Sequence, residues 1–196
     1  MRGPLFYAKI LLFGEYGIIK DSRGLSIPYN FFQGALKIPN KKSEFFYDSN
    51  KKLKEFSNFL RKIDHDLVKF NWGKIQKDLS DKLYFDSSIP QGYGLGSSGA
   101  LVASFYDRYA LDKISVVENL NKEKLIKLKQ IFAEMEAFFH GKSSGLDPLN
   151  SYLSLPILIN SSESIQPTGI PSQNLDGRGA VFLLDSGSSR ETGPLM

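Results

Sequence analysis

Apolar residues fall on two long helical stripes. Residues 51–69, KKLKEFSNFLRKIDHDLVK, place Leu53, Phe56, Phe59, Leu60, Ile63 and Leu67 at steps of three and four, which predicts an amphipathic helix. The same period returns over residues 122–139, where Leu128, Ile131, Phe132, Met135 and Phe139 form one stripe. Between them, SSGALVASFYDRYAL has helical length and an apolar face from Ser97 onward. Short apolar runs ending at turn residues read instead as buried strands. These are AKILLF (8–13), which stops at Gly14; LYFD (83–86); SYLSLPILI, after the turn SGLDP; and GAVFLLDSG (179–187). Residues 161–179 are rich in Ser, Gly and Pro, and no internal repeat or low-complexity tract is present.

Composition narrows what these elements can do. With 196 residues, 41% hydrophobic and 13% aromatic, the chain can bury one sizeable core and begin a second. It has no cysteine, which excludes disulfide frameworks and thiolate zinc sites, and only His65 and His140 speak for a histidine metal site. Much of the basic excess behind the net charge of +4 lies between Lys41 and Lys82. It reads as a solvated surface, with a phosphate- or nucleic-acid-attracting patch as the alternative. The first residues, MRGPLFYAKILLFGEYGII, are interrupted by Lys9, Gly14 and Glu15. No signal-peptide core or membrane span emerges there, so a cytoplasmic location is the expectation.

The stretch PQGYGLGSSGAL (90–101) separates the LYFD strand from the helix that follows. Gly94, Gly96 and Gly99 fit a dinucleotide fingerprint and a protein-kinase glycine loop alike. Gly94 and Gly99 also have Walker spacing, but Ala100 and Leu101 stand where Lys and Ser or Thr belong. Strand, glycine loop and helix N-terminus together suit an anion: glycines admit close approach, successive N–H groups point inward, and the helix dipole favours negative charge. The plain alternative is a glycine turn with a serine N-cap.

Two further segments bear on this choice, KILLFGEY (9–16) and EAFFHGKSSGLD (136–147). With PQGYGLGSS they resemble, in order and in register, the three N-terminal signatures of the GHMP kinases, mevalonate kinases most closely: K-x-x-L-x-G-E-H, P-x-x-x-G-L-G-S-S and E-x-x-x-H-G-x-x-S-G-x-D. The resemblance implies an α+β fold, the two-layer GHMP kinase N-terminal domain with a mixed sheet packed on helices, similar to the second domain of a small-subunit ribosomal protein. It places an ATP-binding domain at 1–160, a linker at 161–178 and the beginning of a truncated C-terminal domain at 179–196. It also implies ATP and Mg²⁺ as cofactors. Gly92, Gly94, Leu95, Gly96, Ser97 and Ser98 would cradle the triphosphate, and Ser98 and Glu136 would supply oxygen ligands to Mg²⁺. Asp147 would face the acceptor hydroxyl with Lys9 beside it, and Glu15, Ser144 and Gly145 would line the acceptor site. The implied partner is a small-molecule alcohol, mevalonate or a relative, with no nucleic acid and no membrane; a homodimer is compatible with it.

Each residue also has a plain structural reading. Glu136 would be one more solvated helix glutamate, although it borders the apolar stripe, where a carboxylate needs a partner. Asp147 before Pro148 is a good N-cap and N1 pair for a helix starting at PLNSY. Lys9 could lie at a strand edge with its amine in water, and His140 could be a C-terminal helix cation before Gly141. Tyr16 replaces the family's usual histidine, and Ser143 the proline usual in mevalonate kinases, so a phosphomevalonate kinase or another GHMP kinase is the alternative. A non-catalytic nucleotide- or RNA-binding domain of the ribosomal type is a remote one. Only 6 arginines and carboxylates at the motif positions speak against RNA.

Overall fold

The computed structural model describes residues 4–14, 23–39, 44–115, 120–161, 164–169, 184 and 187–188. Among these residues five antiparallel strands form one sheet: β1 (Phe6–Phe13), β2 (Gly24–Lys37), β3 (Tyr84–Ser87), β4 (Ile157–Ser161) and β5 (Ser164–Pro167). Long β2 is its spine. Along one edge it pairs with β1; along the other its first residues meet β4 and its last meet β3, and β5 closes the far side against β4. Every described pairing is antiparallel, not mixed as expected. The described strand β5 also occupies part of the stretch expected to be linker. The strand expected at 179–187 falls almost wholly outside the described residues.

Among the described residues five helices cover the sheet: α1 (Glu44–Leu60), α2 (Trp72–Ser80), α3 (Ser97–Tyr109), α4 (Lys122–His140) and α5 (Leu146–Leu153). The stripe of α4 is buried as predicted at Leu128, Ile131, Phe132 and Met135. They join Phe56, Phe105, Tyr106 and Leu149 in the main core, where aromatic rings meet edge-on, Phe56 with Phe105 at 5.1 Å and Tyr106 with Phe132 at 5.1 Å. A second cluster, Phe6, Ala8, Ile89, Leu95, Ala100 and Ala103, seats β1 and the glycine loop on α3.

Two predicted elements differ. The helix expected at 51–69 begins seven residues earlier and ends at Leu60. Lys62 and Ile63 donate to carbonyls three residues back, and the Asp64 side chain accepts from the Asp66 amide at 2.9 Å. A local side-chain bond thus competes with the helix, and Ile63 reaches the core from a turn. Within α1, buried Asn50 donates to the carbonyls of Leu79 (3.1 Å) and Leu83 (2.8 Å), tying α1 to α2 and the approach to β3. The run SYLSLPILI divides: Ser151–Leu153 close α5, and the strand starts only at Ile157.

Candidate active site

Lys9 comes from the middle of β1, and its backbone N–H donates to the Leu95 carbonyl at 3.0 Å, so the glycine loop lies along that strand. Its side chain is only 10% exposed, a poor place for an ammonium without a counter-charge. Asp147 provides one: Lys9 Nζ is 3.0 Å from Asp147 Oδ1. The plain strand-edge reading of Lys9 does not hold. Gly96 sits between them at φ +76°, where a Cβ would lie 3.0 Å from Lys9 Cγ and 3.6 Å from Asp147 Oδ2. Glycine is needed here for both backbone sign and space.

Gly92 and Gly94 also have positive φ and, with Tyr93, are exposed, while Leu95 turns into the second core cluster. Gly96 caps α3 with no side-chain bond to the first turn. The leading N–H groups of Ser97, Ser98 and Gly99 therefore keep the donor capacity that a helix start leaves without intrahelical partners. Gly99 lets α3 touch α5: a Cβ there would fall 2.7 Å from Asp147 C and Pro148 N.

The α5 start departs from the expected cap. Gly145, at φ +72°, is the N-cap, so Asp147 is the second helical residue and Pro148 the third. The Asp147 carboxylate is thus free of capping duty and reaches Lys9 while lying in the first turn, where the dipole favours its charge. A Cβ on Gly145 would meet Lys129 O at 2.2 Å, so its hydrogen packs against the α4 backbone. Ser144 is exposed, and its Oγ accepts from the Leu146 amide at 3.3 Å. Glu15 and Tyr16 lie outside the described residues.

On the opposite side of the loop, Ser98 Oγ donates to Glu136 Oε1 at 3.0 Å. Glu136 is 3% exposed, so it is not a solvated surface glutamate. Burial, reinforced by the nearby Asp147 charge, pushes its carboxyl up to about 7, while hydrogen bonds from Ser143 and Ser98 and the charge of Lys9 pull the other way. Two residues join the constellation that were given no role from the sequence. His140 Nε2 lies 3.1 Å from Ser98 Oγ, a placement its spacing of four from Glu136 could have signalled. Ser143 Oγ donates to Glu136 Oε2 at 2.5 Å, a contact made across the end of α4 that no helical spacing reveals. Among the described residues no group of three or more His, Asp or Glu side chains could hold a metal ion. A cation here would rest on one buried carboxylate and one hydroxyl, completed by phosphate oxygens and waters. That donor set fits Mg²⁺. A cavity of about 550 Å³ beside Phe59, Ile63, Leu67, Gln130 and Glu134 includes none of these residues. Among the described residues, no helix is long and apolar enough to cross a membrane.

The fold has solved neighbours. It matches L. major mevalonate kinase in complex with R-mevalonate at a TM-score of 0.50 and 17% identity, over 85% of this chain and 52% of that one. Methanococcus jannaschii mevalonate kinase matches at a TM-score of 0.48 and 16% identity, over 84% of this chain and 55% of that one. The chain spans about half the length of these neighbours. No curated protein sequence matches it significantly. Residues 58–154, which include both the glycine loop and the segment from Glu136 to Asp147, match the family model for the GHMP kinases N terminal domain. The chain thus belongs to the GHMP kinases, of which it carries the α+β N-terminal domain.

Proposed function

We propose that the intact protein transfers the γ-phosphoryl group of ATP to the hydroxyl of mevalonate. The observation that carries this reading is the juxtaposition of the Lys9–Asp147 pair, at 3.0 Å, with Gly96 at the end of an exposed glycine loop. Phosphoryl transfer asks a protein mainly for positioning and charge stabilisation. Backbone N–H groups from Gly94 to Ser98 hold the triphosphate at the start of α3. The Asp147 carboxylate orients the acceptor hydroxyl and takes its proton. Lys9 balances the Asp147 charge at 3.0 Å and stabilises negative charge developing on the transferred group. Bound Mg²⁺ would neutralise phosphate charge, held by Ser98 and Glu136. The Ser98–Glu136 bond of 3.0 Å supports that assignment, since both oxygens already converge on one point beside the loop.

Mevalonate as acceptor is supported by the K-x-x-L-x-G-E and H-G-x-x-S-G-x-D elements, and the mevalonate kinase neighbours add a fold-level likeness. Tyr16 and Ser143, which depart from the usual pattern, favour phosphomevalonate as the second reading. Release of ADP from the intact protein, measured with mevalonate, phosphomevalonate, homoserine and galactose, tests both. Turnover is expected with mevalonate; turnover with phosphomevalonate alone would replace the first reading with the second, and none with any of the four would remove both.

A further inference from the structure

The segment between α4 and α5 carries Ser143, whose hydroxyl does two things at once. It donates to Glu136 Oε2 at 2.5 Å and accepts the amide N–H of Gly145, the α5 N-cap, at 3.0 Å. The other carboxylate oxygen, Oε1, receives Ser98 from α3 at 3.0 Å. Each oxygen of this buried side chain thus has one hydroxyl donor, and the donors belong to different elements. The terminal torsion of a glutamate is broad and nearly two-fold, so a single donor would leave the carboxylate free to turn about that bond. Two donors fix its plane.

We infer that Ser143 is a positioning residue for Glu136: by holding Oε2 it keeps Oε1, the oxygen shared with Ser98, turned toward the glycine loop as the cation-facing atom. The Gly145 amide holds the Ser143 oxygen from behind, so its proton points at the carboxylate. This inference rests on the kinase reading of the site. The pattern that the sequence resembles usually has proline here, which offers no hydroxyl, so the second clamp is a feature of this chain. A hydrogen bond to a metal ligand can orient that ligand without touching the metal.

The test measures ADP binding to the intact protein by calorimetry, in Mg²⁺ and in EDTA, and takes the ratio of the two affinities. Ser143→Ala is expected to shrink the Mg²⁺-dependent gain by about 10-fold, the lower end for a metal ligand that loses its hydrogen-bond partner, while binding in EDTA stays unchanged. Ser143→Thr, which keeps the hydroxyl, is expected to restore the gain. If the alanine variant does not fold, Ser143→Cys keeps the size with only a weak donor and is expected to lose part of the gain. Equal losses in Mg²⁺ and EDTA, or a lower melting temperature with the gain intact, would reduce Ser143 to a structural residue and overturn the inference. Glu136→Gln separates the two levels. If that variant loses the gain and Ser143→Ala does not, only the positioning role falls; if it keeps the gain, the metal assignment falls and the Ser143 role with it.

Discussion

Asp147 meets Lys9 from the second position of α5, so the residue that starts the helix and the residue that pairs with Lys9 are different ones. That separation makes Asp147→Asn informative. Asparagine keeps an oxygen for Lys9 Nζ, but the charge that balances this buried ammonium is lost, and water screens it only in part at the 36% exposed aspartate. Stability is expected to fall by about 1–3 kcal/mol. The proposed proton acceptor disappears altogether, and turnover is expected to drop by on the order of 10²-fold or more. Melting and turnover measured on the same variant check this, and unchanged turnover would leave Asp147 a structural counter-charge to Lys9. The pair itself was legible through the registered motifs, because Lys9 and Asp147 occupy fixed places in them. The capping geometry was not. Asp-Pro suggested N-cap and N1, but a glycine able to take φ +72° starts the helix two residues earlier and leaves Pro148 at the third position, where a missing N–H costs nothing.

At the level of elements, the site depends on how closely α3 approaches α5 and not only on the glycine loop. Gly99 and Gly94 separate these effects. A methyl at Gly99 would sit 2.7 Å from the backbone of Asp147 and Pro148, so Gly99→Ala must push the helices apart and carry Asp147 away from Lys9. A loss of about 1–3 kcal/mol is expected, with turnover falling in step. Gly94 has open space around it, and Gly94→Ala meets only the cost of a left-handed backbone, about 1–2 kcal/mol. Urea unfolding and turnover of the two variants check the contrast: activity per folded molecule should collapse for Gly99→Ala and survive in larger part for Gly94→Ala. The helices α3 and α4 could be read from the sequence because their stripes are long. Strand β2 could not, since Pro28 and Gly34 interrupt it. Yet Pro28 lies opposite Lys9, and Gly34 leaves room for the Phe85 ring, whose nearest atom would lie 2.2 Å from a Cβ. Helix α2 escaped notice for a different reason. It has only 9 residues, and its buried Ile75 and Leu79 are flanked by lysines.

For the molecule as a whole, the site couples global stability to pH through Glu136. Lys9 and Asp147 stand 138 positions apart (147 − 9), and Ser98 and Glu136 come from two further elements, so the site exists only when the chain is folded. In the unfolded chain Glu136 titrates near its ordinary value of 4.5; burial and the Asp147 charge raise it to about 7 in the fold. Between these values the folded protein holds a proton that the unfolded chain has released. Folded molecules then bind more protons than unfolded ones, so stability falls as pH rises. The contribution is whole below pH 4.5 and is lost as pH climbs through 7. At about 1.4 kcal/mol per unit, the loss across the window is on the order of 3 kcal/mol. Glu136→Gln carries no titrating proton and should lack this slope, whatever its absolute stability. Urea midpoints of both proteins at pH 5, 6, 7 and 8, without metal, give the measurement: the wild-type curve should fall relative to the variant, most steeply between pH 5 and 7. A bound cation would take the place of that proton, so Mg²⁺ with nucleotide should flatten the wild-type slope and leave the variant unaffected. Parallel curves in the absence of metal would mean that Glu136 is ionised in the folded protein and that the fold bears a buried charge the serines and Lys9 fully compensate.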